Sequence, residues 1–141
     1  MIEVEVFGVG LAPESPSTEE VHRLCELCAA ARGVDDGHVA VEYVSAARIA
    51  ELNARHRNKE EPTDVLSFPI DGIEDPAADG PVVDATGAPL ELGDIVICPR
   101  HTIDLREAIV HGMLHLMGMD HETDDGEMLA LQDELLAEHE R

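Results

Sequence analysis

The sequence predicts an α+β fold: a single domain, residues 1–141, in which a four-stranded mixed β-sheet carries packed helices and a metal site sits on a central buried helix. Three observations predict it. Apolar and charged residues alternate with period two at 2–7 and 38–44, the pattern of half-buried strands, and N-cap signatures open helices between the strand runs. Residues 105–117 are apolar on nearly every side, as a helix enclosed by the rest of the chain must be. A chain of 141 residues can bury a core, and 44% hydrophobic content supplies one; with 2% aromatic residues and no Trp, that core is aliphatic.

The first strand is Ile2, Val4 and Val6 alternating with Glu3 and Glu5. Ser17 with Glu20 three residues on makes a capping box, opening a helix through about Arg32 that Gly33 can end. His22 reads as a solvated residue of that helix. The run HVAVEYV at 38–44 is the second strand. Ser45 then caps a helix through about His56, with Ile49 and Leu52 on its buried side. Pro62 breaks that helix, and Thr63 to Phe68 forms the next strand. Residues 71–91, rich in Gly, Pro, Asp and Ala without a period, form a long irregular connection. A strand from Leu92 to Cys98 follows, ended by Pro99. Asp104 with Glu107 makes a second capping box and starts a helix at Leu105. An acidic terminal helix spans Asp124 to Glu140, with Met128, Leu131 and Leu135 facing inward.

Composition excludes several classes. No stretch approaches the length of a membrane span, and MIEVEVFG lacks the basic and long apolar regions of a signal peptide, so a cytoplasmic protein is expected. Three cysteines, Cys25, Cys28 and Cys98, suit reduced thiols rather than a disulfide framework. CELC at 25–28 matches a redox or half-zinc motif in form, but it lies within a helical pattern with no second pair, so core packing is the expectation there. Asp plus Glu number 31 against 9 Lys plus Arg, a net charge of −22, so the overall field repels a phosphate backbone. Arg48, Arg55, Arg57 and Lys59 cluster in one segment, which leaves room for a local positive groove. The acidic excess then serves either solubility in a salty cytoplasm or a basic ribosomal partner.

The chemistry concentrates in HGMLHLMGMDH, residues 111–121, which spaces His111, His115 and His121 as H-x3-H-x2-G-x2-H. His111 and His115 leave one face of a helix a turn apart and can ligate one ion. Gly118 can end the helix in a left-handed conformation and turn the chain back to deliver His121. Three neutral imidazoles suit one zinc ion per chain and leave a fourth position open, as a catalytic site requires. The same spacing occurs in zinc proteases, where a Glu follows the first His as general base. Here that residue is Gly112, which cannot move a proton.

HGMLHLMGMDH followed by ETDDGEMLALQDELL resembles the signature of the YbeY family of bacterial metal-dependent endoribonucleases and rRNA maturation factors. Two more blocks match in order: LNARHRNKEEPTDVLSFP at 52–69 and LGDIVIC at 92–98. The resemblance implies a single-strand-selective endoribonuclease acting in rRNA processing, including 16S rRNA 3′ end maturation, and in ribosome quality control. Its partners would be single-stranded rRNA and proteins of the small ribosomal subunit, with no membrane. Arg57 matches the arginine that the family places near its metal, and its planar, permanently charged fork suits a phosphate. Without that match, Arg57 reads rather as a helix-end cation paired with a nearby Glu. His56 is a further candidate for substrate contact. Thr63 and Asp64 are candidates for orienting the loop, though Asp64 could equally cap a turn. Asp120 could orient an imidazole through its other nitrogen, with a turn-forming role as the alternative. Only twelve residues separate Cys98 from His111, fewer than is common in the family. A metalloprotease with its base outside the motif and a non-catalytic assembly factor with a structural metal are the competing classes.

Overall fold

The computed structural model describes residues 2–57, 64–69, 91–119 and 124–140. Four strands, β1 (Ile2–Phe7), β2 (Gly37–Tyr43), β3 (Val65–Pro69) and β4 (Glu91–Ile97), form one sheet in the order β1-β2-β4-β3. The first three neighbours in that order run parallel, and β3 pairs antiparallel with β4 at the far edge, so the sheet is mixed as expected. Four α-helices accompany it: α1 (Thr18–Ala31), α2 (Ala46–Arg57), α3 (Leu105–Leu116) and α4 (Glu127–His139).

Side-chain alternation sorts the helices onto two faces. Val39 and Val41 of β2 and Ile95 and Ile97 of β4 point to one side, where they join Val21, Leu24, Cys25 and Cys28 of α1, the apolar residues of α3, and Met128 and Leu135 of α4. Val96 and Cys98 point to the other side, where Ile49 of α2, Leu66 and Val44 cover them. β4 is therefore buried on both faces, and its buried residues Ile95 to Ile97, with Cys98 just beyond, read as continuous rather than alternating apolar sequence. The core is aliphatic. Each fully buried Leu, Ile or Met contributes roughly 1.5–3 kcal/mol, and α3 alone buries Ile109, Met113, Leu114 and Leu116.

The local signals act largely as written. Ser17 Oγ accepts from Glu20 N at 3.1 Å, and Asp104 accepts from Arg106 N and Glu107 N. Ser45 Oγ accepts from Arg48 N, capping α2. Both α1 and α3 end in a glycine with positive φ and the paired bonds of a Schellman turn: Val34 N to Ala29 O with Gly33 N to Ala30 O, and Met119 N to Leu114 O with Gly118 N to His115 O.

Four expectations need correction. The Glu20 side chain does not complete a capping box; it turns away to Arg106 and His139, a stronger partnership than a neutral backbone N–H offers. His22 is not merely solvated: its Nε2 lies 2.6 Å from Ile2 O and binds α1 to β1. The terminal helix starts at Glu127 rather than Asp124, because Asp124 accepts from Gly126 N and Met128 N and so sits before the helix as its polar cap. β3 begins at Val65 and runs to Pro69; the expected connection at 71–91 lies, but for Glu91, outside the described residues.

Among the described residues, no helix is long and apolar enough to cross a membrane. The three cysteines are free and fully buried. Burial pushes the Cys25 thiol up to about 12 and raises Cys28 as well, with Cys25 beside it adding to the effect, so neither is a ready thiolate.

Candidate metal centre

α3 forms because Asp104 satisfies its first N–H groups and the tetrad Ile109, Val110, Met113 and Leu114 gives it apolar surface on several sides. From Ala108 to Met117 every residue is buried except two, His111 and His115, which are half-buried. This stretch of α3, otherwise sealed in the core, thus reaches solvent at the two imidazoles. Their ring centroids are 4.8 Å apart at an interplanar angle of 74°, so the rings stand edge to face, one turn apart on one side of the helix. Gly118, at φ 88°, then ends the helix in the left-handed conformation.

Gly112 explains why the helix can sit where it does. A Cβ built there would lie 2.6 Å from Ile95 Cγ2 and 3.2 Å from Ser67 Oγ, so α3 rides directly on β4 and β3. Ser67 Oγ donates to Gly112 O at 3.0 Å and fixes that contact. The position following the first His therefore faces the sheet, and a Glu there would be driven into Ile95 rather than toward the histidines. This is a packing reason, beyond the missing carboxylate, against the protease arrangement.

His111 has a partner that the spacing of the motif did not disclose. Its Nδ1 lies 2.8 Å from Oε1 of Gln132, a side chain on α4 that is 5% exposed. The signal was present in the sequence: Gln132 falls between Met128 and Leu135 on the inward face of α4, where a polar residue is out of place. Ser67, on the sheet beneath Gly112, was likewise missed.

The other predicted residues divide. Asp64 stands at the start of β3, where its Oδ1 accepts from Val65 N at 2.8 Å and its backbone carbonyl accepts from Cys98 N at 2.8 Å, a strand-end turn role. Arg57 and His56 close α2, but their side chains, together with Thr63, Asp120 and His121, lie outside the described residues. No group of three potential ligands is complete among the described residues, which hold two of the three histidines. The basic cluster of α2 is partly spoken for: Arg55 pairs with Glu51 at 2.9 Å and Arg48 with the same oxygen at 3.3 Å. Such exposed pairs contribute little to stability, but they dilute any local positive field. A groove of about 710 Å³ opens between Leu11–Glu14 and Pro99–Arg106 and contains none of the predicted site residues.

The far end of the helical layer is fixed by charge. Glu20 of α1 takes a two-pronged hydrogen bond from Arg106 of α3, at 2.7 and 2.8 Å, and one from His139 Nε2 of α4 at 2.8 Å. The Arg106 guanidinium and His139 hold the Glu20 carboxyl down to about 2. One carboxylate thus ties together the three helices of the face that carries the histidines.

The sequence profile of a family described as Endoribonuclease YbeY matches residues 12–140. Similar proteins include the Endoribonuclease YbeY of Macrococcus caseolyticus, 31% identical over 96% of this chain and 94% of the relative. That of Rubrobacter xylanophilus is 39% identical over 84% of this chain and 80% of the relative. Among solved structures, the solution structure of TM1509 from Thermotoga maritima aligns with a TM-score of 0.52 and 26% identity, covering 96% of this chain and 88% of that one.

Proposed function

The chain belongs to the endoribonuclease YbeY family, and from that membership we propose that it hydrolyses phosphodiester bonds of single-stranded RNA. The cellular task that fits is rRNA processing, 16S rRNA 3′ end maturation with ribosome quality control, in the cytoplasm and beside proteins of the small ribosomal subunit. The observation that carries the catalytic reading is the pair His111 and His115, the two half-buried positions in the stretch from Ala108 to Met117, which is otherwise buried.

His111, His115 and His121 would hold one zinc ion. The fit rests on the donor set, with the imidazoles of His111 and His115 on one helix face, and on the buried Gln132 amide within hydrogen-bond distance of the first. When bound, the ion supplies Lewis-acid polarisation of the scissile phosphate and an acidified water. The protein's own side chains do the rest. Arg57 holds the phosphate with its fork and stabilises the added negative charge of the pentavalent transition state, a role a flexible lysine would fill less well. His56 contacts substrate, Thr63 and Asp64 orient the loop or the groups behind the ligands, and Asp120 orients an imidazole through its other nitrogen. With a net charge of −22 and two α2 arginines paired to Glu51, substrate binding relies on a few local contacts rather than a broad basic surface.

The test is a gel assay of single-stranded and duplex RNA with wild type, His115→Ala and Arg57→Ala. The wild type should cleave the single strand, His115→Ala should abolish cleavage, and Arg57→Ala should slow it by roughly 100-fold or more. Equal cleavage by wild type and His115→Ala would mean that the histidines do not carry the reaction. No cleavage by any of them would return the protein to the class of assembly factors, and chelator-sensitive digestion of an unfolded protein to the proteases.

A further inference from the structure

We propose that Gln132 is a positioning residue of the metal centre: from α4 it selects the ring tautomer of His111 and holds the imidazole for ligation. The proposal rests on the metal reading of His111 and His115 given above.

The argument begins with burial. Gln132 is 5% exposed and sits on the face of α4 that also buries Met128 and Leu135. An amide buried without a hydrogen bond is destabilising, so packing alone would favour Leu at this position. The amide is instead aimed at a ring nitrogen, His111 Nδ1, at 2.8 Å. A carbonyl oxygen only accepts, so Nδ1 carries the hydrogen, and Nε2 of the neutral ring is the nitrogen that presents a lone pair. The bond also blocks rotation of the ring, which the edge-to-face contact with His115 by itself would not.

The choice of an amide has a chemical consequence. A carboxylate in the same place would pull on the Nδ1 hydrogen more strongly, make the imidazole a stronger donor and offset the charge of a divalent ion. A neutral acceptor fixes geometry while leaving that charge in place, which suits a centre that must acidify water and polarise a phosphate. The position of α4 is itself secured at its other end, where His139 bonds the same Glu20 carboxylate that Arg106 grips, so the amide is delivered by a helix tied through that carboxylate to α1 and α3.

The experiment compares the full-length wild type with Gln132→Leu, Gln132→Met and Gln132→Glu. Zinc affinity is measured by competition with a chromophoric chelator, and the His111 tautomer by ring-nitrogen NMR of the metal-free protein. Gln132→Leu should bind zinc about 10–100-fold more weakly and lose the fixed Nδ1–H tautomer, while its thermal midpoint holds or rises. Gln132→Met, nearer in shape, should behave the same way and serves if the Leu variant does not fold. Gln132→Glu should bind at least as tightly as wild type. If the Leu or Met variant binds zinc like wild type and keeps the tautomer, Gln132 has no positioning role. If wild type itself binds no zinc, the metal reading fails and takes the proposal with it, a result distinct from equal binding by both.

Discussion

Gly112→Ala is the substitution whose outcome the structure fixes most sharply, because two effects oppose each other. In the middle of a helix, Ala should stabilise relative to Gly by about 1 kcal/mol. Against this, the added methyl would lie 2.6 Å from Ile95 Cγ2, 3.3 Å from Ile95 Cγ1 and 3.2 Å from Ser67 Oγ, whereas carbon atoms pack best at about 3.5–4.0 Å. Ile95 cannot easily yield. It is fully buried on β4 between β2 and β3, and as a β-branched residue it has little rotamer freedom. Both of its branches face the new methyl, so relief requires α3 to lift from the sheet. Overpacking is typically destabilising by 1–3 kcal/mol, and a 2.6 Å approach to a branched side chain that cannot yield belongs in the upper half of that range, about 2–3 kcal/mol, which after the helix-propensity gain leaves a net loss of roughly 1–2 kcal/mol. In urea titrations the midpoint should fall with the slope unchanged, and the thermal midpoint should drop by about 3–8 °C. Because such a lift disturbs the contact between His111 and Gln132, the proposed zinc binding should weaken in the same variant. An Ala variant as stable as wild type, or more so, would refute the claim that this glycine exists for close approach.

Two predictions concern pH. Glu20 has its carboxyl held at about 2 by Arg106 and His139, and its side chain is 24% exposed. A depressed carboxyl stabilises above its unfolded value and ceases to do so as pH falls, so this contribution, on the order of 2–3 kcal/mol, should be lost between about pH 4.5 and 2. Glu20→Gln should lower the urea midpoint at pH 7 and match wild type near pH 2, if both remain folded there; a constant difference across that range would count against the ion cluster. His38 bridges Glu91 at 2.8 Å and Glu5 at 2.9 Å across three strands. Partial burial favours its neutral form, but the two carboxylates outweigh this and raise its pKa above the ordinary histidine value. Such a group stabilises fully below about pH 6.5, and the effect fades as pH rises through the raised value. The stability gap between wild type and His38→Gln should therefore narrow from pH 5.5 to 9, measured by urea midpoints, and a gap that widens would reverse the assignment.

What the sequence disclosed follows from how far each signal reaches. Alternation located β1 and β2, Ser17 and Asp104 marked helix starts, and Gly33 and Gly118 marked helix ends, because caps and periodicity are set by neighbours within a few residues. The histidine pair was legible for the same reason, being one helical turn apart. Partnerships between distant segments were not. Glu20 to Arg106 spans 86 residues and Glu20 to His139 spans 119, and nothing local about Glu20 distinguishes it from a capping-box glutamate. Gln132 is intermediate: its wrongness on an apolar face could be seen, but its partner could not. Gly112 was read as a missing base when its structural meaning is a missing Cβ, which becomes apparent only once Ile95 is known to lie beneath it. Arg57 drew its role from the family motif; its side chain, like His121, lies outside the described residues.

The order of the sheet places β1 at an edge, where among the described residues β2 is its one strand neighbour. An open edge is a ready template for a second polypeptide, and this one ends in Phe7, which is 48% exposed. Two copies meeting along it would bring Glu3 and Glu5 against their own counterparts, and like charges set opposite one another across strands repel. Part of the acidic excess is thereby given a task that needs neither RNA nor a ribosomal protein: it keeps crowded copies of the chain from zipping into continuous sheet.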